Sequence, residues 1–171
     1  MELISVSRRR ELIDQARDYA KCDLRDRYAV NADTVAAWLA GDAARIDAEV
    51  AKWREGLLTE VAGRSRTRRI RVASEPLSDY HRFVYAVSSA GVGAGDDLRW
   101  LPRRLTSVLA LPGNDFFVLD GELVIFNVLD GHDDRAEIQL YDEPDVVKFC
   151  VDAFEAAWAV AVPHDRYVPS A

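Results

Sequence analysis

Two apolar runs joined by an Asp-Gly pair constrain this chain more than any other stretch. Phe116-Phe117-Val118-Leu119 and Leu123-Val124-Ile125-Phe126 flank Asp120-Gly121-Glu122. Both runs are rich in β-branched and aromatic side chains, which fit a pleated surface. Asp-Gly between such runs signals a hairpin, because the turn needs positive φ and glycine takes it without a steric cost. A strand with one wet face alternates apolar and polar residues. These two runs do not alternate cleanly, so both faces of the hairpin are expected to be covered. That puts the pair inside a sheet rather than at its edge.

The flanking patterns supply the other layers. Leu12, Ile13, Ala16, Tyr19 and Ala20 share one helical face, which predicts a helix over residues 8–21, with Ser7 as its cap and Glu11 completing a capping box. Leu24 to Val30 reads as a short, charged, extended piece. A helix starts at Asn31-Ala32-Asp33 and stops at Gly41. A longer one runs from Ala43 to Ala62, with Ile46, Val50, Trp53, Leu57 and Val61 as its stripe and Gly63 as its C-cap. Residues 68–74 alternate, with Arg69 and Arg71 outward and Ile70 and Val72 inward, which predicts an edge strand with a solvated face. Ser78 or Asp79 caps a helix that ends in the glycines of Gly91-Val92-Gly93-Ala94-Gly95. Strands follow at residues 98–101 and 136–141. A last helix extends from Pro144 to Val162 with Asp142 at its N-cap, and residues 165–171 form a loose tail. The order implies one α/β domain over residues 1–171, a mixed sheet with flanking helices. Residues 1–63 form an N-terminal helical segment and 64–164 the α/β core.

Several chemistries find no support. Gly91, Gly93 and Gly95 follow a helix, and Asp96 stands where a dinucleotide fingerprint needs its third glycine. Asp130-Gly131-His132-Asp133-Asp134 lacks the calcium-loop spacing and reads as a turn. There is no Gly-x-Ser-x-Gly elbow. Cys150 falls on the buried stripe of the last helix, and Cys22 has no identifiable histidine partner. His81 reads as a solvated surface residue and His164 as a helix-end residue. No metal site and no cofactor is expected. The two cysteines lack paired spacing, no signal-peptide core is present, and no run reaches membrane-span length, so a cytoplasmic chain without membrane contact is expected.

Five arginines lie between Arg64 and Arg71 and could neutralise phosphates. The net charge of −7 opposes nucleic-acid binding, so the run is read as a solvated helix end followed by a strand face. A DNA-binding accessory remains an alternative.

Three segments carry a resemblance: Ser74-Glu75-Pro76-Leu77-Ser78-Asp79-Tyr80, Arg99-Trp100-Leu101-Pro102-Arg103-Arg104, and Leu109 through Phe116. Through them, and through Phe154-Glu155-Ala156-Ala157-Trp158 and Pro163-His164, the chain resembles an uncharacterised actinobacterial domain family. Its members are typically encoded near antitoxin-like helix-turn-helix regulators. The resemblance implies an accessory or regulatory protein and supplies no catalytic residues. The strand and helix order around the hairpin also looks like a phospholipase D-like half domain. That superfamily carries His-x-Lys-x-x-x-x-Asp at this place. Aligning its Asp on Asp120 puts Gly113 at the His and Asp115 at the Lys, so the catalytic pair is missing.

Ligands of open α/β sheets bind at strand ends and the loops beyond them. Glu75, Tyr80, Arg82, Arg103, Asn114 and Asp115 occupy such places and are the candidate ligand-binding residues. They could equally pin loops through charge-assisted hydrogen bonds. The expected function is a non-catalytic regulatory or ligand-sensing domain that binds a small molecule and works with a helix-turn-helix regulator. The enzyme alternative is a small hydrolase or transferase using Asp115, Glu75 or His81 in a cleft.

Overall fold

The turn at Asp120-Gly121 organises the molecule. Asp120 and Gly121 have φ of 54° and 70°, Leu119 pairs with Leu123, and the Glu122 N–H donates to the Leu119 carbonyl at 3.0 Å. The Asp120 carboxylate also accepts from the Arg17 and Asp18 N–H groups at 2.9 and 2.7 Å. It thereby fastens the hairpin to a strand just over a hundred residues earlier in the chain.

A computed structural model describes residues 1–170, apart from the side chain of Glu60. In chain order it contains β1 (Glu2–Leu3), α1 (Val6–Gln15), β2 (Asp18–Asp23), α2 (Ala32–Leu39), α3 (Ala43–Val61), β3 (Arg66–Ala73), α4 (Asp79–Val87) and α5 (Ser89–Val92). There follow β4 (Asp97–Pro102), β5 (Asp115–Leu119), β6 (Leu123–Leu129), β7 (Arg135–Tyr141), α6 (Pro144–Val160) and β8 (Val162–Pro163). The strands form one mixed sheet in the order β1-β7-β6-β5-β2-β3-β4-β8. β2, β3 and β4 are parallel neighbours, and the other pairs are antiparallel. None of the described helices is long and apolar enough to cross a membrane.

Helices cover both faces. On one, α6 lays Val147, Cys150, Ala153, Phe154 and Ala157 over Cys22, Ile70, Val72, Phe116 and Val124. Burying side chains such as Phe116 and Phe154 stabilises the fold by about 1.5–3 kcal/mol each. On the other face, α1 packs Leu12 and Ala16 on Tyr19, Phe117, Leu119 and Ile125. Toward β4, residues of α2, α3 and α4 pack on Ala73, Leu98 and Trp100. The two groups do not meet over the middle strands.

Five sequence expectations are corrected. The helix expected at 8–21 ends at Gln15, and Ser5 rather than Ser7 caps it, accepting from the Arg8 N–H. Residues 18–23 are strand β2 in the sheet centre, so residues 1–63 are not purely helical. Ala16, Tyr19 and Ala20 satisfy a helical spacing, but Ala20 and Cys22 also alternate with Tyr19, Lys21 and Asp23, and pairing to β3 and β5 selects the second period. β3 is not an edge strand, because β2 and β4 flank it. Glu143, not Asp142, is the N-cap of α6. The tail is docked: Tyr167 is 4% exposed, stacks on Trp100 at 5.3 Å and donates to Glu75 at 2.8 Å.

The glycine-rich segment is also more than a connection. A Cβ on Gly91 would lie 2.8 Å from the Trp53 ring, so glycine lets α5 close on α3.

Candidate functional site

Where α1 and α3 part, the sheet is left open beneath a hollow of about 1250 Å³. Its floor follows from strand alternation. Ala20 and Cys22 face α6, so Tyr19, Lys21 and Asp23 face the hollow. Ile70 and Val72 likewise turn Arg69 and Arg71 toward it. The register aligns Lys21 with Arg69 and Asp23 with Arg71. Continuing β2 against β5 one step beyond Cys22↔Phe116 sets Asp23 opposite Asp115. Asp115 in turn pairs with Asn127 of β6. Four polar residues, Arg71, Asp23, Asp115 and Asn127, therefore cross four neighbouring strands in a single row.

The row is buried and networked. The Lys21 ammonium lies 2.6 Å from Asp23 Oδ1, and Arg71 Nη1 lies 3.3 Å from Asp23 Oδ2. Arg71 Nη1 also donates to the Tyr80 hydroxyl at 3.1 Å. Arg69 Nε donates to Asp96 at 3.0 Å. Asp115 Oδ1 accepts from the Leu24 N–H at 2.6 Å. Asn127 Oδ1 accepts from Arg9 Nη1 at 2.7 Å. Asp23 and Asp115 are each 2% exposed.

Two carboxylates facing each other across an antiparallel pair repel when both are charged. The surroundings resolve the conflict by separating their acidities. Burial works against the Asp23 carboxylate, but Lys21, Arg71 and Arg69 outweigh it and hold its pKa below the ordinary value. Burial, and next the Asp23 charge, push Asp115 up to about 6, against the Leu24 N–H and the Tyr28 hydroxyl. Burial lowers the pKa of Lys21, with Asp23 opposing. Burial raises that of Tyr28, with the charges of Asp23 and Asp115 adding to the effect. Below about pH 6 the floor thus combines cations, one firmly ionised carboxylate and one carboxyl that holds a proton.

The six candidate residues separate on this geometry. Tyr80 and Asp115 line the hollow. Glu75 accepts from Tyr167 and from the Ser170 N–H at 3.2 Å and pairs with Arg104, so it fastens the tail. Arg103 donates to Ser74 Oγ, the Leu24 carbonyl and Asp26 at 2.9, 2.7 and 3.2 Å, joining the loops after β2, β3 and β4. Arg82 is exposed, pairs with Asp79 at 3.0 Å and lies over Trp38. Asn114 precedes β5 and is not part of the lining. His81 is not a surface residue. It is fully buried, with Nδ1 3.3 Å from Asp26 Oδ1 and its ring edge-on to Trp100. Burial lowers its pKa.

The arginine run is largely internal. Arg68 pairs with Glu155 at 2.8 Å and lies over Phe154, while Arg69 and Arg71 lie under the hollow. Arg64 Nη2 donates to the Ile13 carbonyl, and exposed Arg66 pairs with Asp18. Reading Arg69 and Arg71 as outward was correct in direction, but the face they reach is flanked by α3 and α1. Lys21 was missed because it fell inside the expected helix, and Asp23 because it followed directly on that helix. Their signal was the two-residue alternation of Tyr19, Lys21 and Asp23 against Ala20 and Cys22.

Among the described residues, no group of three or more His, Cys, Asp or Glu could hold a metal ion. The carboxylate of Asp130 accepts from its own loop, from the His132 and Asp134 N–H groups. With Asp115 protonated, Lys21, Arg69 and Arg71 outnumber the ionised carboxylates of Asp23 and Asp96, and such a floor favours a bound anion. No curated protein matches the chain. A family model covers residues 7–169, which include all the residues lining the hollow. The chain therefore belongs to the family described as Domain of unknown function (DUF6879).

Proposed function

We propose that this chain is a non-catalytic ligand-sensing domain that binds a small anionic molecule in the hollow and reports its presence to a protein partner. The observation that carries the reading is the sharing of one carboxylate, Asp23, by two cations, the partly buried Lys21 and the buried Arg71. With Asp115 protonated, a positive charge is left over, and a buried charge needs a partner. A bound anion supplies it. The partner in this reading is a helix-turn-helix regulator of the antitoxin-like type found beside actinobacterial relatives. Helix α3 favours it, because the helix both walls the hollow and belongs to the N-terminal part of the chain. The test is thermal shift and calorimetry with phosphate, citrate and phosphorylated metabolites on the wild type and Lys21→Met. A stabilising anion that the variant no longer binds supports the reading. A full panel without any shift refutes it.

A second reading, a small hydrolase or transferase, draws on the opposed acidities of Asp23 and Asp115, an arrangement that suits general acid–base work. Glu75 and His81 have no part in it, since neither lines the hollow. Turnover of a bound ligand by the wild type, lost in Asp115→Asn, would favour the enzyme.

A further inference from the structure

We propose that the ligand of the hollow is a phosphorylated ribose compound of nucleotide size, its phosphate on Lys21 and Arg71 and its hydroxyls on Asp115 and Asn127. This rests on the hollow being an anion site and names the chemistry of the anion.

The cationic end sets the charge and shape of the first group. Lys21 and Arg71 sit on neighbouring strands and share Asp23. Arg71 is 7% exposed, and its Nε has no hydrogen-bond partner among the described residues, although Nη1 is held by Tyr80. That leaves a guanidinium with one unpartnered, buried nitrogen beside one compact ammonium. A carboxylate brings a single charge and two oxygens in a plane. A phosphate monoester brings roughly 1.5–2 negative charges and three acceptor oxygens, and can meet both cations together.

Further along the floor the chemistry changes. Asp115 and Asn127 are cross-strand partners. Asp115 accepts from the Leu24 N–H and the Tyr28 hydroxyl and keeps the remaining lone pairs of its two oxygens. Arg9 occupies the Asn127 carbonyl, so that side chain offers its amide donors. An acceptor beside a donor complements a pair of hydroxyls, each of which both donates and accepts. Lys21 and Asp115 are diagonal neighbours on β2 and β5, roughly 7–8 Å apart in such a ladder. A pentose phosphate can bridge that span.

The space asks for more than a sugar phosphate. Binding sites for drug-sized molecules measure about 300–1,000 Å³, and this hollow holds about 1250 Å³. Trp53 and Tyr28 line it as well. Flat aromatic walls of this kind accept a stacked base.

The experiment is calorimetry at pH 6 with adenosine monophosphate, ribose 5-phosphate, adenosine and inorganic phosphate, with citrate as a non-phosphate anion. Folding of each variant is checked by near-ultraviolet circular dichroism. The expected result is at least tenfold tighter binding of adenosine monophosphate than of inorganic phosphate, ribose 5-phosphate in between, and no binding of adenosine. Lys21→Met abolishes all of it. Asn127→Ala keeps phosphate binding and reduces the nucleotide's advantage, and this variant decides the matter if Lys21→Met does not fold. Equal affinity for phosphate and nucleotide, or preference for citrate, overturns the ligand assignment while the anion site stands. No binding of any anion overturns both.

Discussion

Replacing Asp115 by Asn tests the paired carboxylates directly. The pKa of Asp115 rises from an ordinary 3.8 to about 6 in the folded chain. An acid whose folded pKa is raised contributes stability that is full below its unfolded value and lost as pH rises through the folded value. One pKa unit corresponds to about 1.4 kcal/mol, so this group alone removes up to about 3 kcal/mol between pH 4 and pH 7. Asp23 has the opposite sign. Its pKa is lowered to about 2, so its contribution is present above the ordinary value and lost only in strong acid, outside the window. The proton belongs in part to the pair, which reduces the expected change to about 1–3 kcal/mol. Asparagine keeps an acceptor for the Leu24 N–H but cannot ionise. Urea denaturation of both proteins at pH 4.5 and pH 8 provides the measurement. The variant should gain about 1–3 kcal/mol on the wild type as pH rises, because the other titrating groups cancel in the comparison. Profiles that stay parallel within about 0.5 kcal/mol would refute the opposed-carboxylate argument.

Further outcomes follow from the same geometry. Phosphate affinity should fall as pH rises through about 6, because the ionised Asp115 carboxylate repels the anion; titration calorimetry from pH 5 to pH 8 checks the direction, and Asp115→Asn should flatten the dependence. Tyr167→Ala removes the ring stacked on Trp100 and the hydroxyl that holds Glu75. It should cost about 3 kcal/mol in a urea melt, as other buried aromatic truncations do, and a loose tail would give no change. Gly91→Val places side-chain atoms against the Trp53 ring, since even a Cβ would lie 2.8 Å away. It should destabilise the fold by about 1–3 kcal/mol and alter Trp53 fluorescence.

Much of the fold was legible because its signals were local. The Asp120-Gly121 turn, the α3 stripe closed by Gly63, and the Ser78 cap on α4 depend on residues within a few positions of one another. The errors arose where two local readings competed. Tyr19 and Ala20 satisfied a helical face, yet Ala16 already leaves the helix with ψ near 140°, and hydrogen bonds from the Arg17 and Asp18 N–H groups to the distant Asp120 carboxylate favour the strand. Of the candidate residues, Tyr80 and Asp115 reached the hollow, while Glu75 and Arg103 became fasteners between loops. Asp115, Glu75 and Arg103 are all charged residues at or just beyond strand ends, and the difference lies in which distant segment folds back on them.

The amino-acid order by itself determined the periods: which residues alternate, where turns must bend, and that Arg69 and Arg71 oppose Ile70 and Val72. Tertiary packing alone decided what each face meets. α3 flanks the arginine face on one side and α1 on the other, so side chains that would be solvated on an edge strand become the floor of a hollow. The physical reason is that alternation fixes a side chain's direction within its strand, whereas burial and charge pairing depend on partners far away in sequence, such as Arg71 beside Asp23 and Asp23 beside Asp115.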